Sequence, residues 1–289
     1  MGDAAPPPVC LSANIFTLAG RPVKENKYVS IFFFWLANII GRRILAPEDE
    51  LYLATDTATL EYLKNSTTFM RLLATAPFKK RIRTYAPPKN FLEGTIERYR
   101  APLTYSADVL IYVDIDTILL KPLGLLAAKM EQDGVYLHAE GQLSHFCYSH
   151  GFPEFMKPLC TDRMAGYSSG KFAIKGRGPA ALLFHAIERT YSSVPADLAP
   201  ETFYTGDQPI FNQAIYKWLL VKSTPSPLKI HTSLWKAPII SVNRLPADPA
   251  ECFLIDLMGE PGDEATHMEK IMSFYPLLIA GVFDAPAQA

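Results

Sequence analysis

The hydrophobic positions of the chain fall into short runs separated by polar turns. Val9 to Leu18, Glu50 to Thr55 and Val109 to Val113 are brief and read as strands; the five consecutive apolar residues of the last suggest burial on both faces. Lys79 to Tyr85 is basic around Ile82 and fits an edge strand. Residues 22–41 carry a helix whose apolar block, Ile31 to Ile40, is buried and which stops at Gly41. Thr57 to Lys64 suits a short helix with Leu60 and Leu63 inward, and Phe91 to Tyr105 a helix feeding the strand at Val109. Beyond it the pattern predicts a short helix over Lys121 to Gln132, a strand over Val135 to Ala139, a helix over Ala180 to Tyr191 and an amphipathic helix with Ile210, Phe211, Ala214 and Ile215 inward. Strand, helix, strand, helix, strand is the order of an α/β fold with a mostly parallel sheet and helices on both faces.

Composition narrows the picture. The 289 residues are 49% hydrophobic with 24 prolines, enough for a sizeable core in one large or two small domains. A net charge of −1 gives no reason to expect a nucleic-acid partner or an acidic membrane surface. Cys10, Cys147, Cys160 and Cys252 are scattered without a CxxC pair, as expected of ordinary thiols in a reducing compartment. The block at Ile31 is far shorter than the roughly 20 residues of a membrane span, and Gly-Arg-Arg follows it where a cleavage site would stand, so a cytoplasmic location is expected. Met1 to Pro8 is Pro-rich and expected to be disordered. Asn65-Ser-Thr67 matches a glycosylation acceptor but reads as a surface turn.

The chemistry concentrates where the strand at Val109 ends, at Asp114 and Asp116. Unpaired carboxylates are costly inside a buried strand, whereas its carboxyl end opens onto the ligand crevice of an open α/β sheet. Two hard oxygen ligands there suit Mg²⁺ or Mn²⁺ completed by substrate phosphates. An Asp-rich turn is the plainer reading. A phosphatase of the haloacid dehalogenase type also places two aspartates after a strand, but carries Thr two residues past the second, where this chain has Ile118.

The full phrase from Asp108 to Leu123, Asp-Val-Leu-Ile-Tyr-Val-Asp-Ile-Asp-Thr-Ile-Leu-Leu-Lys-Pro-Leu, resembles the DxD motif of GT-A glycosyltransferases, glycogenin and the bacterial lipooligosaccharide galactosyltransferases in particular. Gly206-Asp207-Gln208 is similar to a second signature of those enzymes, and Glu251 to Lys270 to a third. The resemblance implies a GT-A domain over residues 9–289. Residues 9–123 would bind the nucleotide and 124–289 would face the acceptor. It implies transfer of a sugar from a nucleotide-diphosphate donor, UDP-sugar favoured and GDP-sugar possible, to a hydroxyl of a glycan or protein. Retention of configuration is favoured over inversion. Asp207 and Gln208 would act on the sugar. Ala13, Asn14, Arg98, Arg100, Asp114, Ile115, Asp116, Ser169, Gly170 and Lys270 would contact the donor, with Tyr167 and Ser168 lining the sugar pocket in a small-residue turn before a short strand. The metal would sit on Asp114 and Asp116. Asp256 stands where the family carries a His ligand, which leaves Asp256 or His267 as the third.

Two features stay outside that reading. Residues 142–162 are aromatic and His-rich, with His145 and His150, and fit either a substrate-facing loop or one tucked over the core. Gly176-Arg-Gly178-Pro-Ala-Ala181 mimics a dinucleotide fingerprint, with Asp197 about 20 residues on, and keeps an NAD(P)-dependent dehydrogenase as the rival. Its plainer explanation is a helix start with Pro179 in the first turn.

Overall fold

A computed structural model describes residues 6–100, 107–194, 206–220, 229–232, 234–235, 252–257 and 269–273. The strands are β1 (Val9–Ile15), β2 (Glu50–Asp56), β3 (Lys79–Tyr85), β4 (Val109–Val113), β5 (Thr117–Leu119), β6 (Gly134–Gln142), β7 (Ala165–Lys175), β8 (Ile230–His231) and β9 (Leu254–Asp256). The helices are α1 (Lys27–Gly41), α2 (Thr57–Lys64), α3 (Thr67–Thr75), α4 (Phe91–Arg100), α5 (Leu123–Ala127), α6 (Phe146–Ser149), α7 (Arg177–Ser192) and α8 (Gln208–Leu220). The central sheet runs β3-β2-β1-β4-β7-β6-β8. β7 pairs antiparallel with both of its neighbours and every other pairing is parallel, so β7 alone opposes the sheet.

Alternation along the buried strands divides the core. Val9, Leu11, Val109, Ile111 and Val113 face α1, α5 and β9, whereas Cys10, Leu110 and Tyr112 face α4, α7 and α8. Both faces are covered, which is why β1, β2 and β4 are buried at every position. The basic β3 takes the sheet edge its composition predicts.

Two departures from the sequence reading, at β7 and at α5, stand out. The segment at Met164 is no turn before a short strand. It is the 11-residue β7, wedged between β4 and β6, and Ser168, Ser169 and Gly170 fall where its pairing with β6 shifts register. Asn65-Ser-Thr67 is the expected surface turn, joining α2 to α3, where Ser66 Oγ accepts from Phe69 N at 3.4 Å. The predicted Lys121–Gln132 helix shrinks to α5. Residues 142–162 fold as α6 and a 3₁₀ segment, Glu154–Leu159. Of the expected disordered stretch, residues 1–5 lie outside the described residues, as does Asp197.

Candidate active site

The strand ends converge on one cavity of about 710 Å³. Its floor is the carboxyl rim of β1, β4 and β6 together with the first half of β7, which runs the other way and so brings its N-terminal residues to the same rim. The loop after β1 forms one wall and is held firmly. Asp56 caps α2 through Ala58 N and Thr59 N, both at 3.0 Å, and its other oxygen accepts from Thr17 N at 2.8 Å. Asn26 caps α1 and donates to Phe16 O and Thr17 Oγ1. Asn14 lines the cavity with both amide ends engaged, accepting from Tyr85 at 2.7 Å and donating to Gly94 O at 2.8 Å.

Asp114 leaves β4 and lies over Gly170. Its N–H donates to Gly170 O at 2.9 Å, and a Cβ at Gly170 would stand 2.3 Å from Asp114 Oδ2. Tyr112 donates to Asp114 Oδ1 at 2.8 Å, and Arg98 Nη1 stands 3.2 Å from the same oxygen. The Asp114 side chain is still 38% exposed and, with Ile115 and Asp116, faces the cavity. The Asp116 carbonyl accepts from Leu257 N at 2.9 Å, so β9 clasps the Asp-Ile-Asp turn from beneath.

Arg98 is the buried hub. Burial alone would lower its pKa, but Asp114 and Asp207 outweigh that and hold it raised. It donates to Thr95 O and Ser169 O, lies 4.8 Å over the Tyr112 ring and sits 3.7 Å from Asp207 Oδ2. Tyr99 donates to Asp207 Oδ2, and Ser169 Oγ donates to Asp207 Oδ1 at 3.4 Å. Gln208 Oε1 accepts from Ser169 N at 3.3 Å. Three elements, α4, β7 and the start of α8, are thereby tied to one carboxylate.

The cavity brings together Asn14, Arg98, Asp114, Ile115, Asp116, Ser168, Ser169, Gly170, Asp207, Gln208 and Asp256 from the sequence-predicted set. It does not take in Ala13, which is core beneath it, nor Arg100, which pairs with Glu97 and Glu188. Lys270 is buried but does not line it. Tyr167 stacks on Tyr216 instead of facing the cavity, and His267 lies outside the described residues. Asp256, proposed from sequence as a metal ligand, is ion-paired with Lys171. Sequence reasoning missed Tyr28, Glu140 and Lys171, which line the cavity, while Cys147 and Tyr148 line it from the 142–162 stretch for which a substrate-facing loop was one of two readings. Lys171 had a signal: a lysine between Gly170 and the apolar run Phe172 to Ile174. Burial and then the Asp116 and Asp114 charges push Tyr28 up to about 12, an electrostatic mark of the acidic wall.

The Gly176-Gly178-Ala181 segment is at the other end of the sheet. Gly176 N donates to the carbonyl of Asp108, where β4 begins, and a Cβ there would meet the Asp133 carboxylate. An acidic side chain over the first glycine is wrong for a pyrophosphate. The plainer reading stands: Gly176, at φ 85°, turns the chain from β7 into α7.

Solved glycosyltransferases share this architecture. The bifunctional glycosyltransferase WbbM superposes with a TM-score of 0.55 at 14% identity, covering 94% of this chain and 50% of that one. Mouse xyloside xylosyltransferase 1 gives 0.52 at 12% identity, with 89% and 99% covered. GlyE of Streptococcus pneumoniae gives 0.53 at 13%, with 98% and 66% covered. The fold is that of a GT-A glycosyltransferase. The chain thus spans half the length of WbbM and about two thirds of GlyE. No protein-family model matches the sequence, and no curated protein does. In the GT-A fold the rim that carries Asp114 is where an open α/β sheet binds its ligand. Among the described residues no helix is long and apolar enough to cross a membrane.

Proposed function

We propose that the chain transfers a sugar from a nucleotide-diphosphate sugar, UDP-sugar in the first place and GDP-sugar in the second, to a hydroxyl of a glycan or protein acceptor, with retention of configuration and dependence on Mn²⁺ or Mg²⁺. The observation that carries this reading is the meeting of Asp114, Asp116 and Asp207 in one cavity at the carboxyl rim of a GT-A sheet. The donor set fits a hard divalent ion. Six carboxylates line the cavity, Glu25, Asp114, Asp116, Glu140, Asp207 and Asp256, against three cationic side chains, Arg21, Arg98 and Lys171, a surplus of three negative charges. A diphosphate entering alone would be repelled, and a cation between it and the wall reverses the sign. Asp114 and Asp116 would hold that ion, and when bound it would act as a Lewis acid for the departing diphosphate.

The chain's own residues do the rest. Asn14, fixed by Tyr85 and Gly94, offers a rigid edge beside the nucleoside. Asp207, Gln208 and Ser169 form the wall that grips the donor sugar. Arg98 holds Asp114 and Asp207 at a fixed separation, so that the phosphate end and the sugar end of the donor are positioned together. The C1–O bond to the diphosphate breaks, the acceptor oxygen bonds to C1, and the acceptor proton leaves on the diphosphate oxygen. That scheme requires no strong side-chain base. Asp207, with both oxygens engaged, serves as a fixed negative charge beside C1.

A thermal-shift screen of UDP- and GDP-sugars, each with Mn²⁺ and with chelator, tests the reading. A ligand at a hundred times its Kd stabilises the fold by about 2.7 kcal/mol, and the shift is expected only with metal. Asp114→Asn with Asp116→Asn should remove it and leave the unliganded melting temperature close to its starting value. Stabilisation by NAD with no response to any nucleotide sugar would overturn the proposal.

A further inference from the structure

The wall opposite Arg98 carries a second cation that the transfer scheme leaves unused. Lys171 follows Gly170 on β7, opposite Val113 of β4. Its ammonium contacts Glu140 Oε1 at 3.0 Å and Asp256 Oδ2 more closely still. All three side chains are at least nine-tenths buried, and all three line the cavity. Burial draws the Lys171 pKa down, but Asp256 and Glu140 together outweigh it and the ammonium is held charged. Asp256 lies opposite Thr117 in the β5–β9 ribbon, and the next residue, Leu257, donates to the Asp116 carbonyl. Asp256 is therefore on the same wall as Asp116 and is directed at Lys171. Among the described residues no three His, Cys, Asp or Glu side chains are arranged to hold a metal ion.

We infer that Lys171 is a built-in cation that occupies the Asp256 carboxylate and keeps it out of the coordination sphere, so that among the described residues Asp114 and Asp116 are the carboxylates that bind the divalent ion. This rests on the proposed metal-dependent reading of the cavity. Lys171 is a positioning residue, acting through Asp256 and Glu140. With Asp256 held by Lys171, Asp114 and Asp116 would hold the ion and leave it to neutralise the donor diphosphate.

Mn²⁺ binding to the full chain, read by electron paramagnetic resonance of the free ion with and without UDP or GDP, tests this apart from turnover. Asp256→Asn in the otherwise unchanged chain is expected to leave the Mn²⁺ Kd within about twofold. Lys171→Met combined with Glu140→Gln removes the ammonium and one carboxylate together, so the formal charge of the wall is unchanged while Asp256 loses the ammonium that holds it. That double variant is expected to bind Mn²⁺ about tenfold more tightly, and adding Asp256→Asn to it should return the original Kd. A tenfold loss on Asp256→Asn alone would make Asp256 a ligand and overturn the inference, even if the double variant failed to fold. Failure of the unaltered chain to bind Mn²⁺ with any nucleotide present would instead remove the metal reading itself, and this inference with it.

Discussion

Gly170 shows how a single missing Cβ sets the geometry of the cavity. Any side chain at that position would meet Asp114 Oδ2 at 2.3 Å, on a backbone whose carbonyl accepts from Asp114 N at 2.9 Å. Gly170→Ala is expected to displace the carboxylate and lower transfer or donor hydrolysis by about 10²-fold, as misplacements near 1 Å do. Gly178→Ala makes the control: nothing stands within 4 Å, and alanine in a helix should raise stability by about 0.5–1 kcal/mol with no change in turnover. Asp114 and Asp116 were legible as residues because carboxylates at the end of a buried strand have few purposes. The choice between Arg98 and Arg100 was not legible. Both lie on α4 near the rim, and only the docking of α7 turns Arg100 to Glu188 while Arg98 points to Asp114.

At the scale of elements, two asparagines do the work of a neighbouring strand. Asn38, in the middle of the apolar α1, accepts from Leu119 N at 2.9 Å and donates to Leu119 O at 3.1 Å, so α1 grips β5 at one point. Asn212 of α8 does the same for Tyr167 of β7, with both contacts at 2.8 Å. This second clamp keeps the start of β7 against α8, and with it Ser169 against Asp207 and Gln208. Asn212→Ala strands a buried N–H and C=O and should cost about 1–3 kcal/mol in urea unfolding, together with a loss of donor affinity. An unchanged unfolding midpoint would mean that β7 is held by its ladders alone. Hydrophobic pattern predicted β1 to β4 with α1, α2 and α4, most plainly at β1, β2 and β4, which are buried on both faces, and it missed α3. It also missed the length of β7, since the small and polar residues Ser168 to Lys171 look like a turn, yet Gln208 and Arg98 engage the Ser169 backbone and Asp114 N donates to Gly170 O where the pairing with β6 breaks.

The whole molecule concentrates charge in one low-dielectric cleft, and its stability should respond to pH for that reason. Burial holds the His138 imidazole below its ordinary value of 6.5, and Lys171 pushes the same way against Glu140 and Asp256. The unfolded chain then takes up its proton before the folded one. The contribution is fully present above about pH 6.5 and is lost as pH falls toward the depressed value of the folded state. His138→Gln is expected to flatten the decline in melting temperature between about pH 7 and pH 5, and coincident profiles for the two proteins would assign that decline to other groups. By itself the sequence determined the continuous apolar strands, their parallel order and the two aspartates at the end of β4, because burial on two faces and the cost of desolvating carboxylates are local constraints that residue pattern records. Tertiary structure alone decided that β7 runs against the sheet, that Arg98 joins Asp114 to Asp207, and that Lys171 answers Asp256 from 85 residues away. Those pairings depend on which elements the topology lays side by side, and no periodicity along the chain carries that information.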